Sequence, residues 1–273
     1  MAERRSVAAD VVGSKPTSRP NHLSSNPRTA LAPRFFIGTS GWAYASWKPG
    51  FYPDGTSAKR FLGFYSSKLT SVEVNYTFGS VLKPGQLQGW LDQTGPGFRF
   101  TFKAPQRITH FSRLRDSHAA VAEFFDSLKP AVAAGKMGLV LFQLPPNFKA
   151  DHARLDGFLK ATAFKRKSAP AIAFEFRHES WFSEETYALL RKRNAALCVA
   201  ETDELTTPEM HTARGVACFR LRRAGGYKPR VIAAFATRFQ TLAADRDVYV
   251  YFRHEDEPTG ALNAAALLRK VGR

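Results

Sequence analysis

Eight short apolar runs, spread through residues 35–252, each end in polar or charged side chains. Strand-like runs near 35–39, 70–75, 98–103, 138–143, 171–177, 195–201, 216–222 and 246–253 alternate with helix-like segments near 57–68, 84–93, 116–134, 151–163, 183–193, 231–244 and 260–270. Residues 204–213 read as a short or irregular connection. Such alternation implies parallel strands with crossover helices, and eight units of about thirty residues match one closed (β/α)8 TIM-like barrel of the α/β class. An open doubly wound sheet is the competing architecture. It calls for a glycine-rich phosphate fingerprint after the first strand, and Gly38-Thr39-Ser40-Gly41-Trp42 lacks that spacing. In a barrel the carboxyl ends of the strands carry the active site, so the pattern locates a site before any motif is considered.

Residues 35–273 form the expected barrel domain, whereas residues 1–34 are rich in Ser, Pro, Asn and Arg, lack hydrophobic periodicity and read as a disordered basic tail. Forty Lys and Arg stand against 23 Asp and Glu, giving +17. The tail holds six bases against Glu3 and Asp10, which leaves +13 on the folded part. An excess of this size attracts anions over long range, so phosphate-bearing small molecules and nucleic acid are the expected partners. No apolar run suits a secretory signal or a bilayer span, so no membrane association is expected. Cys198 and Cys218 lie in apolar runs without redox or metal-ligand spacing, which fits small reduced core residues and a cytoplasmic location. The pattern is silent on oligomeric state.

Successive strand residues point to opposite faces, so each run can be sorted into a core face and an interior face. Ser71, Glu73 and Asn75 oppose Val72 and Val74, while Arg99, Thr101 and Lys103 oppose Phe98, Phe100 and Phe102. Glu175 and Arg177 oppose Phe174 and Phe176, and Arg220 and Arg222 oppose Phe219 and Leu221. The last members of the polar faces should ring the mouth: Glu73, Asn75, Lys103, Gln143, Glu175, Arg177, Arg220, Arg222, Tyr251 and Arg253. Five of these are cations and two are carboxylates. A positive excess in a partly enclosed space is costly unless solvent or an anionic ligand completes it, which favours an anion-accepting pocket over a self-neutralised network.

Within this set Glu73 and Glu175, flanked by Lys103 and Arg177, are candidates for proton transfer, with a counter-ion role as the alternative. His178 and His110 lie in loops that reach the mouth and are further acid, base or ligand candidates. The segment Arg222-Arg223-Ala224-Gly225-Gly226-Tyr227-Lys228 combines bases with two glycines, as a phosphate-binding loop after the seventh barrel strand would, or as a solvated turn would. Glu255, Asp256 and Glu257 stand against an anion there. Trp42, Tyr44, Trp47, Phe51, Tyr52 and Trp181 fall in loops where they could stack on bases or sugars, or pack as a lid. Glu73, Glu175, His178, Glu201 and Asp203 could supply metal ligands, but no HxH, HExxH or CxxC spacing accompanies them. Neither a cofactor nor a tightly bound metal is expected, and nothing in the spacing supports a divalent ion.

Gly38-Thr39-Ser40-Gly41-Trp42 with Tyr44, Trp47 and Phe51-Tyr52-Pro53, followed by Val72-Glu73-Val74-Asn75, resembles the YecE-like family, domain of unknown function 72. The likeness continues through Phe102-Lys103-Ala104, Thr109-His110, Gln143-Leu144-Pro145-Pro146, Glu175-Phe176-Arg177-His178 with Ser180-Trp181, Tyr251-Phe252 and Asn263-Ala264, and covers residues 35–272. The resemblance implies a TIM-like barrel, related in fold to the xylose-isomerase and endonuclease-four type, and brings no settled activity. Two positions depart from the family pattern. Phe78-Gly79 stands where Phe-Tyr is usual, which removes an aromatic side chain near the mouth, and Arg253-His254 replaces asparagines, which puts a cation at the rim.

The expected function is a phosphate-recognising enzyme, hydrolase-like or of the sugar-phosphate type, with nucleic acid as the leading substrate class. A non-catalytic module that binds nucleic acid or an anionic metabolite is the alternative.

Overall fold

The computed structural model describes residues 35–272, and the basic tail lies outside them. Eight parallel strands run β1 (Phe35–Thr39), β2 (Ser71–Val74), β3 (Arg99–Lys103), β4 (Met137–Gln143), β5 (Ala171–Glu175), β6 (Ala196–Glu201), β7 (Val216–Leu221) and β8 (Asp247–Phe252). The helices are α1 (Phe61–Lys68), α2 (Tyr76–Gly79), α3 (Gln86–Asp92), α4 (His118–Ser127), α5 (Lys129–Ala133), α6 (His152–Leu159), α7 (Glu184–Lys192), α8 (Pro229–Leu242) and α9 (Thr259–Lys270). The sheet order β1-β8-β7-β6-β5-β4-β3-β2 is that of a TIM barrel.

Local chemistry sets many of the boundaries. Ser183 caps α7 by accepting from the Thr186 amide, and Glu184 and Glu185 in the first turn with Arg191 and Lys192 in the last complement the helix dipole. The segment expected as one helix over 116–134 breaks at Leu128, because Pro130 has no amide proton for the preceding turn and instead starts α5. The connection from β6 to β7 contains no helix, as the irregular stretch 204–213 foreshadowed.

Two apolar layers follow from strand alternation. Phe100, Phe102, Phe142, Phe174 and Phe219 belong to the large cluster between sheet and helices. Leu139, Leu141, Ala173, Cys198, Cys218 and Tyr249 fill the barrel interior. The two cysteines are free and buried, and they sit in register on β6 and β7 with sulfurs 3.4 Å apart.

Closure between β1 and β2 departs from a regular ladder. One isolated bridge, Ser40 to Glu73, joins their upper ends. Backbone bonds from Thr70 N to Ile37 O at 3.1 Å and from Gly41 N to Glu73 O at 2.8 Å are supplemented by side-chain hydroxyls: Thr70 Oγ1 accepts from the Ile37 amide at 2.9 Å, and Tyr65 OH accepts from the Thr39 amide at 2.8 Å and donates to Ser71 O at 3.0 Å. Burial, more than any neighbouring group, raises the Tyr65 hydroxyl pKa and keeps it protonated as a donor. Tyr65→Phe therefore orphans a buried amide and a buried carbonyl, and we expect a loss of about 1–3 kcal/mol in urea unfolding. An unchanged midpoint would show that the seam does not depend on that hydroxyl.

Candidate functional site

Strand register brings the polar faces together at the carboxyl end of the barrel. Glu73 on β2, Glu175 on β5 and Arg220 on β7 are all buried. Arg220 donates from Nε to Glu73 Oε2 at 2.8 Å and from Nη2 to Glu73 Oε1 at 2.7 Å. Its Nη1 donates to Glu175 Oε2, and Arg177 Nε takes the other Glu175 oxygen at 2.8 Å. Burial alone would push the Glu175 carboxyl up, but Arg220 and Arg177 outweigh it and hold its pKa well below the ordinary value. Burial likewise opposes the Arg220 charge, and the two glutamates overcome it.

This geometry gives Glu73 and Glu175 the counter-ion role that competed with proton transfer. All four carboxylate oxygens accept from guanidinium groups, and Glu175 stays ionised at neutral pH. The charge pattern is left with two further cations. Lys103 and Arg222 have no carboxylate within ion-pair distance among the described residues. Lys103 Nζ instead lies 3.8 Å from the centroid of the Phe78 ring, and Arg222 Nη1 donates to Ser40 Oγ at 3.1 Å. Burial first, and then Arg220, lowers the Lys103 pKa to about 8 and the Arg222 pKa to about 10. Both are cationic at neutral pH in surroundings that disfavour the charge. Glu175, Arg177, Arg222 and Arg253 line one cleft of about 280 Å³ with Asp203 and Thr207. Arg253 stands at its rim, 3.7 Å from Glu255.

Other candidates take structural places. Tyr251 faces the interior as expected but lies beneath the mouth: its hydroxyl crosses the barrel to Ser71 Oγ at 2.8 Å and Thr101 Oγ1 at 2.6 Å. Gln143 is buried beside Glu175 in register and donates to Leu144 O at 3.4 Å. His178 Nδ1 accepts from the Ser180 amide at 3.2 Å and thereby caps the short turn Glu179–Trp181. Trp181 is fully buried, stacked on Phe176 and bonded through Nε1 to Phe148 O at 2.7 Å, which closes it to any ligand.

The loop after β7 also differs from a phosphate cradle. Gly225 and Gly226 adopt φ of +68° and +76°, but the Ala224 amide points to Asp203 Oδ2 and the Gly225 amide to Glu255 Oε1, each at 3.3 Å. Carboxylates of the protein occupy the donors that a phosphate would need. Tyr227 is buried against Phe235 and Phe252 and accepts from the Arg223 amide at 3.3 Å, so it props the loop.

Strand alternation did not single out Ser40 and His254. Ser40 follows β1 directly and ties Arg222 to the first strand, and a polar residue at a strand's carboxyl end was the available signal. His254 stacks on Tyr44 with centroids 5.1 Å apart, and burial and Arg222 lower its pKa. His110 lies edge-on to Phe78, and burial, Lys103 and Arg177 lower its pKa too. Asn75 follows β2 directly, with Oδ1 buried and without a partner among the described residues. Trp42 and Tyr44 are partly buried at a second, aromatic cleft beside the mouth. Among the described residues no group of three or more His, Cys, Asp or Glu is placed to hold a metal ion, because Glu73 and Glu175 face Arg220, Glu201 faces Arg223 and His178 faces Ser180. No helix among them is long and apolar enough to cross a membrane.

Comparison with known proteins agrees with this architecture. The chain is 31% identical over 156 residues to the UPF0759 protein YunF of Bacillus subtilis, covering 56% of this chain and 54% of that protein. It is 32% identical over 114 residues to the UPF0759 protein YecE of Escherichia coli K12, covering 41% and 38%. The matched parts thus span about half or less of these relatives' own lengths. A DUF72 family protein of Thermotoga maritima superposes with a TM-score of 0.76 at 24% identity, over 88% of this chain and all of that one. A DUF72 family protein of Enterococcus faecalis gives 0.70 at 18%, over 88% and 98%. Both likenesses concern the fold. The family described as protein of unknown function DUF72 matches residues 36–273, and the chain belongs to that family.

Proposed function

We propose that the barrel mouth binds the phosphoryl group of a phosphate-bearing substrate and that the protein is an enzyme acting on it, with nucleic acid as the leading substrate class. The observation that carries this reading is the pair Lys103 and Arg222, desolvated cations without carboxylate partners beside a balanced Glu73–Arg220–Glu175–Arg177 chain. Both feel the charges of Glu73, Glu175, Arg220 and Arg177, and a dianion bound within reach of the two would offset both desolvation costs. Arg177 and Arg253, whose side chains are 35% and 42% exposed, line the cleft of Arg222 as further phosphate donors beside Asp203 and Glu204, and the net charge of +17 suits a polyanion. Lys103 is the proton-transfer candidate, since a lysine titrating near neutrality can exchange a proton with a substrate oxygen. The locked state of both glutamates favours a second reading, a non-catalytic anion-binding module, which turnover of a bound phosphoester would exclude.

A thermal-shift screen of phosphorylated metabolites, nucleotides and oligonucleotides, with and without divalent cations, tests binding, because a ligand specific to the native state raises Tm with its concentration. Sulfate isolates the protein's own titration, its charge being constant over the range. The Lys103 pKa of about 8 lies below its ordinary 10.5, so the site gains its second cation only as pH falls through about 8. Sulfate affinity should therefore be highest below that value and decline above it, and Lys103→Gln should flatten the profile. Arg222→Ala should weaken binding by about tenfold or more, the loss of one charge-assisted contact. Equal affinity in wild type and Arg222→Ala would refute the anion site.

A further inference from the structure

Beside the cation site lies a cleft of about 470 Å³ whose walls are aromatic. Trp42 and Trp90 meet edge to face at 5.2 Å, Tyr76 stands edge-on to Trp90 at 6.1 Å, and Tyr44 closes the side toward the mouth. Tyr76 is 38% exposed, and both indoles are partly buried. These tryptophans differ from the other two in the chain. Trp47 and Trp181 are fully buried and donate to Glu255 O at 3.0 Å and Phe148 O at 2.7 Å, whereas the indole N–H groups of Trp42 and Trp90 have no acceptor among the described residues. Lys59 and Asn75 also line the cleft, and Asn75 Oδ1 is buried and without a partner among the described residues. A buried acceptor without a donor is costly, so this atom calls for a donor that the described residues do not supply.

We propose that this cleft is a nucleobase subsite, holding the base of a nucleotide whose phosphate lies at Lys103 and Arg222. The proposal rests on the phosphate reading of the mouth and names its substrate class. Flat aromatic walls suit a flat ring, and every base presents a π-face to Trp42, Trp90 or Tyr76. Asn75 Oδ1 matches an exocyclic amino group, such as that of adenine. The two sites are joined through short contacts: Arg222 Nη1 donates to Ser40 Oγ at 3.1 Å, Ser40 O accepts from Tyr44 OH at 3.1 Å, and the Tyr44 ring lines the cleft. Arg222, Ser40 and Tyr44 thus form a continuous run of contacts from the mouth to the cleft, and the proposed nucleotide spans it.

Titrating the full-length protein with inorganic phosphate, adenosine and adenosine 5′-monophosphate separates the two claims. The nucleotide should bind about tenfold tighter than phosphate, the gain typical of one stacked base. It should also quench tryptophan emission saturably, with phosphate leaving emission unchanged. Trp90→Leu keeps apolar bulk but removes the ring, and Tyr76→Leu alters an exposed residue whose loss leaves the core intact. Each should shrink the nucleotide's advantage while wild-type phosphate affinity persists. Phosphate binding with no added affinity for the nucleotide, or an advantage untouched by both variants, overturns the base subsite and leaves the mouth reading standing. Failure of both ligands to bind overturns the two together.

Discussion

Arg220→Met is expected to lower the unfolding free energy by about 3–5 kcal/mol, since removing one partner of a buried ion pair leaves the others uncompensated. Arg220 is 2% exposed, and it alone separates the carboxylates of Glu73 and Glu175, which are wholly buried. Without it, two anions share a desolvated space and, among the described residues, only Arg177 remains paired with either. Adding Glu73→Gln and Glu175→Gln to Arg220→Met removes the charges and should recover most of the loss in chemical denaturation. A single variant within about 1 kcal/mol of wild type would mean that the network is not desolvated as its geometry implies.

The same network fixes a pH dependence. Glu175 has its pKa lowered from 4.5 to about 2 in the fold, so its contribution to stability is complete above about 4.5 and is lost as pH falls toward 2. In Arg220→Met the lowering cation is gone, so protonation of the carboxylates relieves their repulsion. The stability gap between the two proteins should narrow as the pH is taken down, and a constant gap between pH 6 and 3 would contradict that account.

Strand alternation made the barrel and its mouth legible, because a period of two sorts every run into a core face and an interior face. It could not show which charges meet. Arg220 reaches Glu73 across 147 residues of sequence and Glu175 across 45, so their conversion from proton-transfer candidates to counter-ions depends on distances that alternation does not contain. Tyr251 was placed on the correct face but at the wrong depth, since its long side chain crosses the interior to β2 and β3. The Gly225-Gly226 loop carried a phosphate-like composition, yet Asp203 and Glu255 from neighbouring loops take its amides. Trp90 sits in a stretch read simply as helix, so its meeting with Trp42 from the loop after β1 was hidden. Tyr65 belongs to an apolar stripe that announces burial and conceals the bonds of its hydroxyl.

Gly38→Ala is expected to be nearly as damaging as the loss of Arg220. A Cβ at Gly38 would stand 1.8 Å from Ser71 O and 2.6 Å from Tyr65 OH, far inside contact distance, and the first of these atoms is backbone that cannot rotate away. Relief requires β1 to move off β2, which breaks the bonds of Tyr65 OH to the Thr39 amide and to Ser71 O. Overpacking of this kind costs about 1–3 kcal/mol and each bridging hydrogen bond about 1 kcal/mol more, so a total near 4 kcal/mol and a fall in Tm of about 10 °C are expected. Gly55→Ala is the matched control, because nothing lies within 4 Å of its Cβ position, and it should stay within about 0.5 kcal/mol of wild type. Combining Gly38→Ala with Tyr65→Phe should cost less than the sum of the two, since the phenylalanine removes one of the clashing atoms. Strict additivity in that cycle, or a Gly38→Ala protein that melts with wild type, would show that β1 and β2 are not held together by the hydroxyl seam.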